Sequence, residues 1–187
     1  MSLADKIHSG TVLAIDPSTK SLAFAVVSRS GSQVKLKAKG KINFSGLDDV
    51  MSKLGLLNVI VPELISYHKP DMVIIEQTIY IQNPQTSRLL SYVVGHMLGL
   101  ALNSGVKVKD VGPLEWKRWL GYKSVSKAEI AEWSKEFGEK EAKKMASFER
   151  KNRVKTILQD KIKELNEDDY DIIDAIAIAC WGVYTQY

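Results

Sequence analysis

The sequence predicts an α/β fold, on three observations. Two short runs, residues 12–15 and 72–75, are apolar without interruption, as strands buried on both faces are. Each ends in one carboxylate, Asp16 and Glu76. Between and after them, apolar residues recur every three or four positions, which is helical spacing. The 187 residues, 45% hydrophobic and with no repeat or low-complexity tract, give room for one domain with a sizeable core (residues 1–187).

Residues 11–27, TVLAIDPSTKSLAFAVV, predict a hairpin: a buried strand, a turn at Pro17, Ser18 and Thr19, and a second apolar strand. Residues 34–44 follow, with Lys35, Lys37, Lys39 and Lys41 at every second position. Period two puts all four on one strand face. That face suits an edge strand that discourages aggregation, or a strip facing phosphates.

Residues 45–68 predict a helix, capped by Ser45 or Asp48 and kinked or divided by Pro62. The strand ending in Glu76 leads to a loop at 78–86, with Asn83-Pro84 as a turn signal. The clearest helix is 87–104; its Gly95 and Gly99 leave a flat patch for an internal helix contact or a dimer seam, and His96 between them reads as a packing or hydrogen-bonding residue. A short strand at 106–111 precedes the helix PLEWKRWLG, which stops at Gly121. Residues 123–149 are charged throughout and predict one or two surface helices; 150–165 predict a basic amphipathic helix. After an acidic turn at 166–170 comes the last helix, DIIDAIAIACWGVYTQY.

Net charge is only +4, but residues 117–163 carry +7 and the remainder −3, which suits a polyanionic partner. No apolar run is expected to span a membrane, and residues 1–10 lack the apolar core of a secretory signal. The one cysteine, Cys180, makes no internal disulfide and sits in an apolar run as a packing residue would. Together these suggest a reducing, cytoplasmic setting.

The chemistry lies in the acids. Asp171 and Asp174, three positions apart, share a helix face, and Asp174 sits in an apolar segment of the kind that is normally buried. If Asp16, Glu76, Asp171 and Asp174 converge, each pair about 4 Å apart costs roughly 4 kcal/mol at an effective dielectric of 20. A hard divalent cation relieves that. All-oxygen ligation suits Mg²⁺ or Mn²⁺, and a pair of such ions suits phosphoryl displacement at phosphorus. No Cys or His cluster offers zinc an alternative.

IDPS before a second strand, then IIEQ, then DIIDAIAIA near the end, in that order, resembles the RuvC-type Holliday junction resolvases of the RNase H-like superfamily. The resemblance spans about residues 11–182. It implies a mixed central sheet with helices on both faces; residues of about 124–148 read as a helical insertion before the C-terminal helices. It also implies a dimeric, Mg²⁺-dependent endonuclease that nicks four-way DNA junctions symmetrically, with two ions per site and Mn²⁺ as a substitute. Asp16, Glu76, Asp171 and Asp174 match the family's four metal-binding acids. Lys151 resembles its lysine near the scissile phosphate, with Lys127 a second candidate, and Lys117 resembles another basic position. Residues 83–99 resemble the helix that packs in the homodimer. DNA contacts are expected at Lys35, Lys37, Tyr80, Lys117, Arg118, Lys127, Arg150 and Arg153.

The chain departs from the family pattern at Ser18, which replaces a glycine, in the loop QTIYIQ, and in the inserted segment. In the loop, Ile79 aligns with the family's junction-centre aromatic and Tyr80 is next along. A nuclease for other branched or flapped DNA is the nearest alternative. An actin-like ATPase lacks its second phosphate loop and adenosine motif here, and a non-catalytic DNA-binding relative would be expected to have lost an acid.

Overall fold

A computed structural model of the chain describes residues 9–77, 83–162 and 165–186. Five strands form one sheet: β1 (Ser9–Pro17), β2 (Ser21–Ser30), β3 (Gln33–Asn43), β4 (Met72–Glu76) and β5 (Lys107–Val111), in the order β3-β2-β1-β4-β5. The β1–β2 and β2–β3 pairs are antiparallel, and β1–β4 and β4–β5 are parallel, so the sheet is mixed. The helices are α1 (Val50–His68), α2 (Pro84–Asn103), α3 (Pro113–Leu120), α4 (Lys127–Phe137), α5 (Glu139–Lys161) and α6 (Tyr170–Thr185).

Strand alternation divides the core in two. Val12 and Ala14 of β1 face α6, α3 and α5, while Leu13 and Ile15 face α1 and α2. Helices therefore cover both faces of the sheet. α6 is buried from Ala175 to Val183 because it lies directly on β1, β2 and β4. Gly182 permits that approach: a Cβ there would collide with the Ile74 side chain and lie 3.1 Å from a Val12 methyl.

Several boundaries differ from expectation, each for a local reason. α1 starts at Val50, because Asp49, rather than Ser45 or Asp48, caps it by accepting the Ser52 amide at 2.9 Å. Pro62 lies within one continuous helix. Asn83-Pro84 is a helix start, not a turn: Asn83 accepts the Gln85 and Thr86 amides, and Pro84 occupies the first helical position, where no N–H is needed. No break falls between 149 and 150; Gly138, at φ 82°, separates α4 from α5. Residues 78–82 of the expected loop lie outside the described residues.

α1 also corrects the expectation that nothing reaches membrane-span length: it is 19 residues long and reaches a mean hydropathy of 1.3 over 18 of them. It connects β3 to β4 of the same sheet and buries Leu57, Val61 and Ile65 against that sheet. Its apolarity thus serves the second core.

The largest departure is in β3. Val26 pairs with Ala38, but Val27 pairs with Leu36, which leaves Lys37 as the extra residue of a bulge. Faces exchange there. Val34 and Leu36 pack toward α6, whereas Ala38 and Ile42 pack toward α1. The four lysines consequently do not share a face. Lys39 and Lys41 point toward α6, Lys35 lies on the opposite face, and Lys37 sits at the bulge.

Candidate active site

Asp16 and Glu76 follow the last paired residues of adjacent parallel strands, Ile15 and Ile75. Alternation turns both side chains to the α6 face, since Ile15 and Ile75 point to the other. On that face α6 begins, with Asp169 capping it by accepting the amides of Asp171 and Ile172. Asp171 and Asp174 therefore enter from above the two strand ends.

Asp16, Glu76 and Asp174 form a mutually repelling trio. Each is half-buried, recessed enough to lose most hydration while keeping some accessible surface. Burial holds Asp16 well above the ordinary carboxylate range, and the charges of Glu76 and Asp174 push it further. The Asp16 and Glu76 side chains lie within hydrogen-bonding reach of each other. Burial also raises Glu76, against a hydrogen bond from Trp116 and the charge of Lys117. Asp174 is pushed up to about 7 by burial, opposed by Lys117 and, more weakly, by Lys151.

Asp171 differs from the trio in having a cation of its own. Asp16 and Asp174 feel its charge, but its carboxylate is bound by Lys41 at 2.5 Å. Lys41 also reaches Asp169 at 3.0 Å, and the neighbouring Lys39 pairs with Glu167 at 2.7 Å. Among the described residues, no three carboxylate, imidazole or thiol groups already surround one point at ligating distance. The donors nevertheless fit a hard divalent ion in kind: they are oxygen donors, held close, and destabilised by their own charge.

The basic residues divide by neighbourhood. Lys117 is half-buried, faces Glu76 and Asp174, and lies 4.8 Å above the Trp116 ring. Lys151 is exposed, lies 5.4 Å over the Tyr170 ring and faces Asp174. Lys35, Lys37, Arg118, Lys127 and Arg150 are exposed. Arg153 is instead consumed inside the fold: it pairs with Glu129 at 2.5 Å and Glu149 at 2.8 Å, and donates to the Lys123 carbonyl. Tyr80 lies outside the described residues. His96 hydrogen-bonds Asn58 at 2.8 Å, away from any acid cluster.

Two residues at the site escaped sequence reading. The Trp116 indole, fully buried, donates to Glu76 Oε1 at 2.7 Å. A tryptophan next to a basic residue in an amphipathic helix carries no mark of that role. Lys41 is the other, concealed by a bulge that no turn residue announces.

The family model for crossover junction endodeoxyribonuclease RuvC matches residues 12–137. The RuvC crossover junction endodeoxyribonuclease of Rickettsia bellii is 32% identical over 120 residues, covering 64% of this chain and 76% of its own length. Among solved structures, T. thermophilus RuvC with its Holliday junction substrate superposes over 94% of this chain and 95% of its own, with a TM-score of 0.71 and 18% identity. The fowlpox virus resolvase bound to Holliday junction DNA covers 94% and 98%, with a TM-score of 0.55 and 17% identity. The family model ends before Asp171 and Asp174, whereas the fold likeness extends across most of the chain.

Proposed function

We propose, from the premise that this chain belongs to the RuvC family of crossover junction endodeoxyribonucleases, that it resolves four-way DNA junctions by hydrolysing phosphodiesters. The observation that carries the reading is the trio of Asp16, Glu76 and Asp174, gathered from two strand ends and the start of α6, with Lys117 and Lys151 facing it. Nucleases of this family depend on a metal ion. Asp16, Glu76, Asp171 and Asp174 would hold Mg²⁺ or Mn²⁺, two ions per site. Bound there, the ions would polarise the attacking water and stabilise the departing 3′ oxygen.

The chain's own groups do the rest. Trp116 fixes the Glu76 carboxylate, so that one oxygen stays in place. Lys117 and Lys151 offset the scissile phosphate's charge from two sides. Burial and mutual repulsion raise the Asp16, Glu76 and Asp174 carboxyls, so ions should bind more tightly as pH rises. Lys35, Lys37, Arg118, Lys127 and Arg150 would bind junction phosphates, which gives steep salt dependence and little sequence information. Tyr80 remains the proposed contact at the junction centre.

Two copies would pair through α2. At Gly95 and Gly99 an added Cβ meets nothing within 4 Å, and Tyr92 and Leu102 of the same helix are exposed. Among the described residues nothing lies against the two glycines at that distance, and a two-fold dimer through the patch would match the symmetry of the junction. The enzyme would then act on recombination and repair intermediates in the cytoplasm.

The test is nicking of a synthetic four-way junction. Cleavage should require Mg²⁺ or Mn²⁺ and fall below detection in Asp16→Asn and Glu76→Gln, while both variants still shift the junction in a gel. Equal cleavage of linear duplex would reject junction specificity. Equal cleavage of a flap would favour the broader branched-DNA reading.

A further inference from the structure

Lys41 is in an unusual position for a lysine on an edge strand. The β3 bulge turns it inward to the α6 face, opposite Ala23. Its ammonium bridges two carboxylates at the start of α6, at 2.5 Å from Asp171 and 3.0 Å from Asp169. The two are not equivalent. Asp169 is fixed, because one of its oxygens caps α6 through the amides of Asp171 and Ile172. Asp171 has no such duty among the described contacts: Lys41 is the cation that its carboxylate binds. Of the four acids, Asp171 is also the one with an ion pair among the described residues.

We propose that Lys41 is a displaceable internal cation that keeps Asp171 away from the other three acids until a second divalent ion takes its place. It is a positioning residue, acting through Asp171, and the proposal rests on the metal centre inferred above. When Asp171 turns toward an ion, Lys41 keeps a partner in Asp169, so no isolated charge is left behind. The ion that needs Asp171 therefore competes with Lys41, whereas an ion held by Asp16, Glu76 and Asp174 does not. The two ions should bind with unequal affinity, and the weaker step should be under the control of Lys41.

Calorimetric titration of the full chain with Mn²⁺, without DNA, reads this directly. The wild-type protein should show a tighter and a weaker step, and Asp171→Asn should remove the weaker one. Lys41→Met should tighten the weaker step about five-fold, the factor a partly exposed ion pair is worth, and leave the tighter step in place. Lys41→Gln, which has no charge but keeps a polar head, should do the same if the methionine variant folds poorly. Lys41→Arg should restore the wild-type value. An unchanged or weakened second step in both neutral variants overturns the role of Lys41 while the metal centre stands. Absence of any bound ion in wild-type protein overturns both.

Discussion

The trio at the strand ends and the α4–α5 pair hold their charges in opposite ways. Asp16, Glu76 and Asp174 are recessed, repel one another, and are held in place by the apolar elements that carry them. α4 buries no residue. It is tied to α5 by surface charge, above all by Arg153 of α5 reaching Glu129, and its own start is held by the reciprocal Ser126–Glu129 cap. One region sacrifices stability to concentrate charge; the other uses charge because it has little apolar surface to bury. The first should respond to packing changes and ions, the second to salt and acid.

Gly182→Val should have the largest effect. The new side chain would be driven into Ile74 and Val12, on the strands that carry Glu76 and Asp16. Overpacking of this kind should cost about 3 kcal/mol of global stability in urea unfolding, with α4–α5 melting in the same transition. Asp174→Asn should act in the other direction. An acid whose native value is raised to about 7 destabilises the fold once ionised. The penalty is absent in acid, grows as pH rises from the ordinary aspartate range to about 7, and is constant above. Without divalent ions, the asparagine variant should be more stable by about 2 kcal/mol at pH 8 and equal near pH 3, as read from paired melts.

Trp116→Phe keeps the ring and removes the donor to Glu76. It should cost about 1–2 kcal/mol, the value of a hydrogen bond to a charged acceptor, and raise the pH at which ions bind. The smallest effect is in the helical pair. Arg153→Ala should speed amide exchange in α4 and leave α6 untouched. Glu129, held at about 2 by its Ser126 and Arg153 bonds, should stabilise the pair fully above the ordinary glutamate range, and that contribution should fade as pH falls toward about 2. Exchange rates in α4 that do not respond to either change would remove the contrast.

The same contrast explains what the sequence revealed. Continuous apolar runs ending in acids located β1, β4 and the Asp16–Glu76 pair, because burial on both faces leaves an unmistakable pattern. The acids of α6 were visible because an aspartate in an apolar segment has to be accounted for. β3 misled for the converse reason: its lysines kept period two in sequence while the bulge at Lys37 broke period two in space. Asn83-Pro84 misled because the same dipeptide suits a turn and a helix start. Arg153 was read as a DNA contact because one of its partners, Glu129, reaches it only once α4 folds back on α5; the other, Glu149, is its own i,i+4 neighbour.

The placing of Asp16 and Glu76 on neighbouring parallel strands has one more consequence. If β4 slipped by a single residue against β1, Glu76 would point among the side chains of α1 and α2, and the pair would be separated by the thickness of the sheet. Turnover thus doubles as a check on assembly: a molecule trapped in the wrong alignment would be inert toward DNA, not indiscriminate.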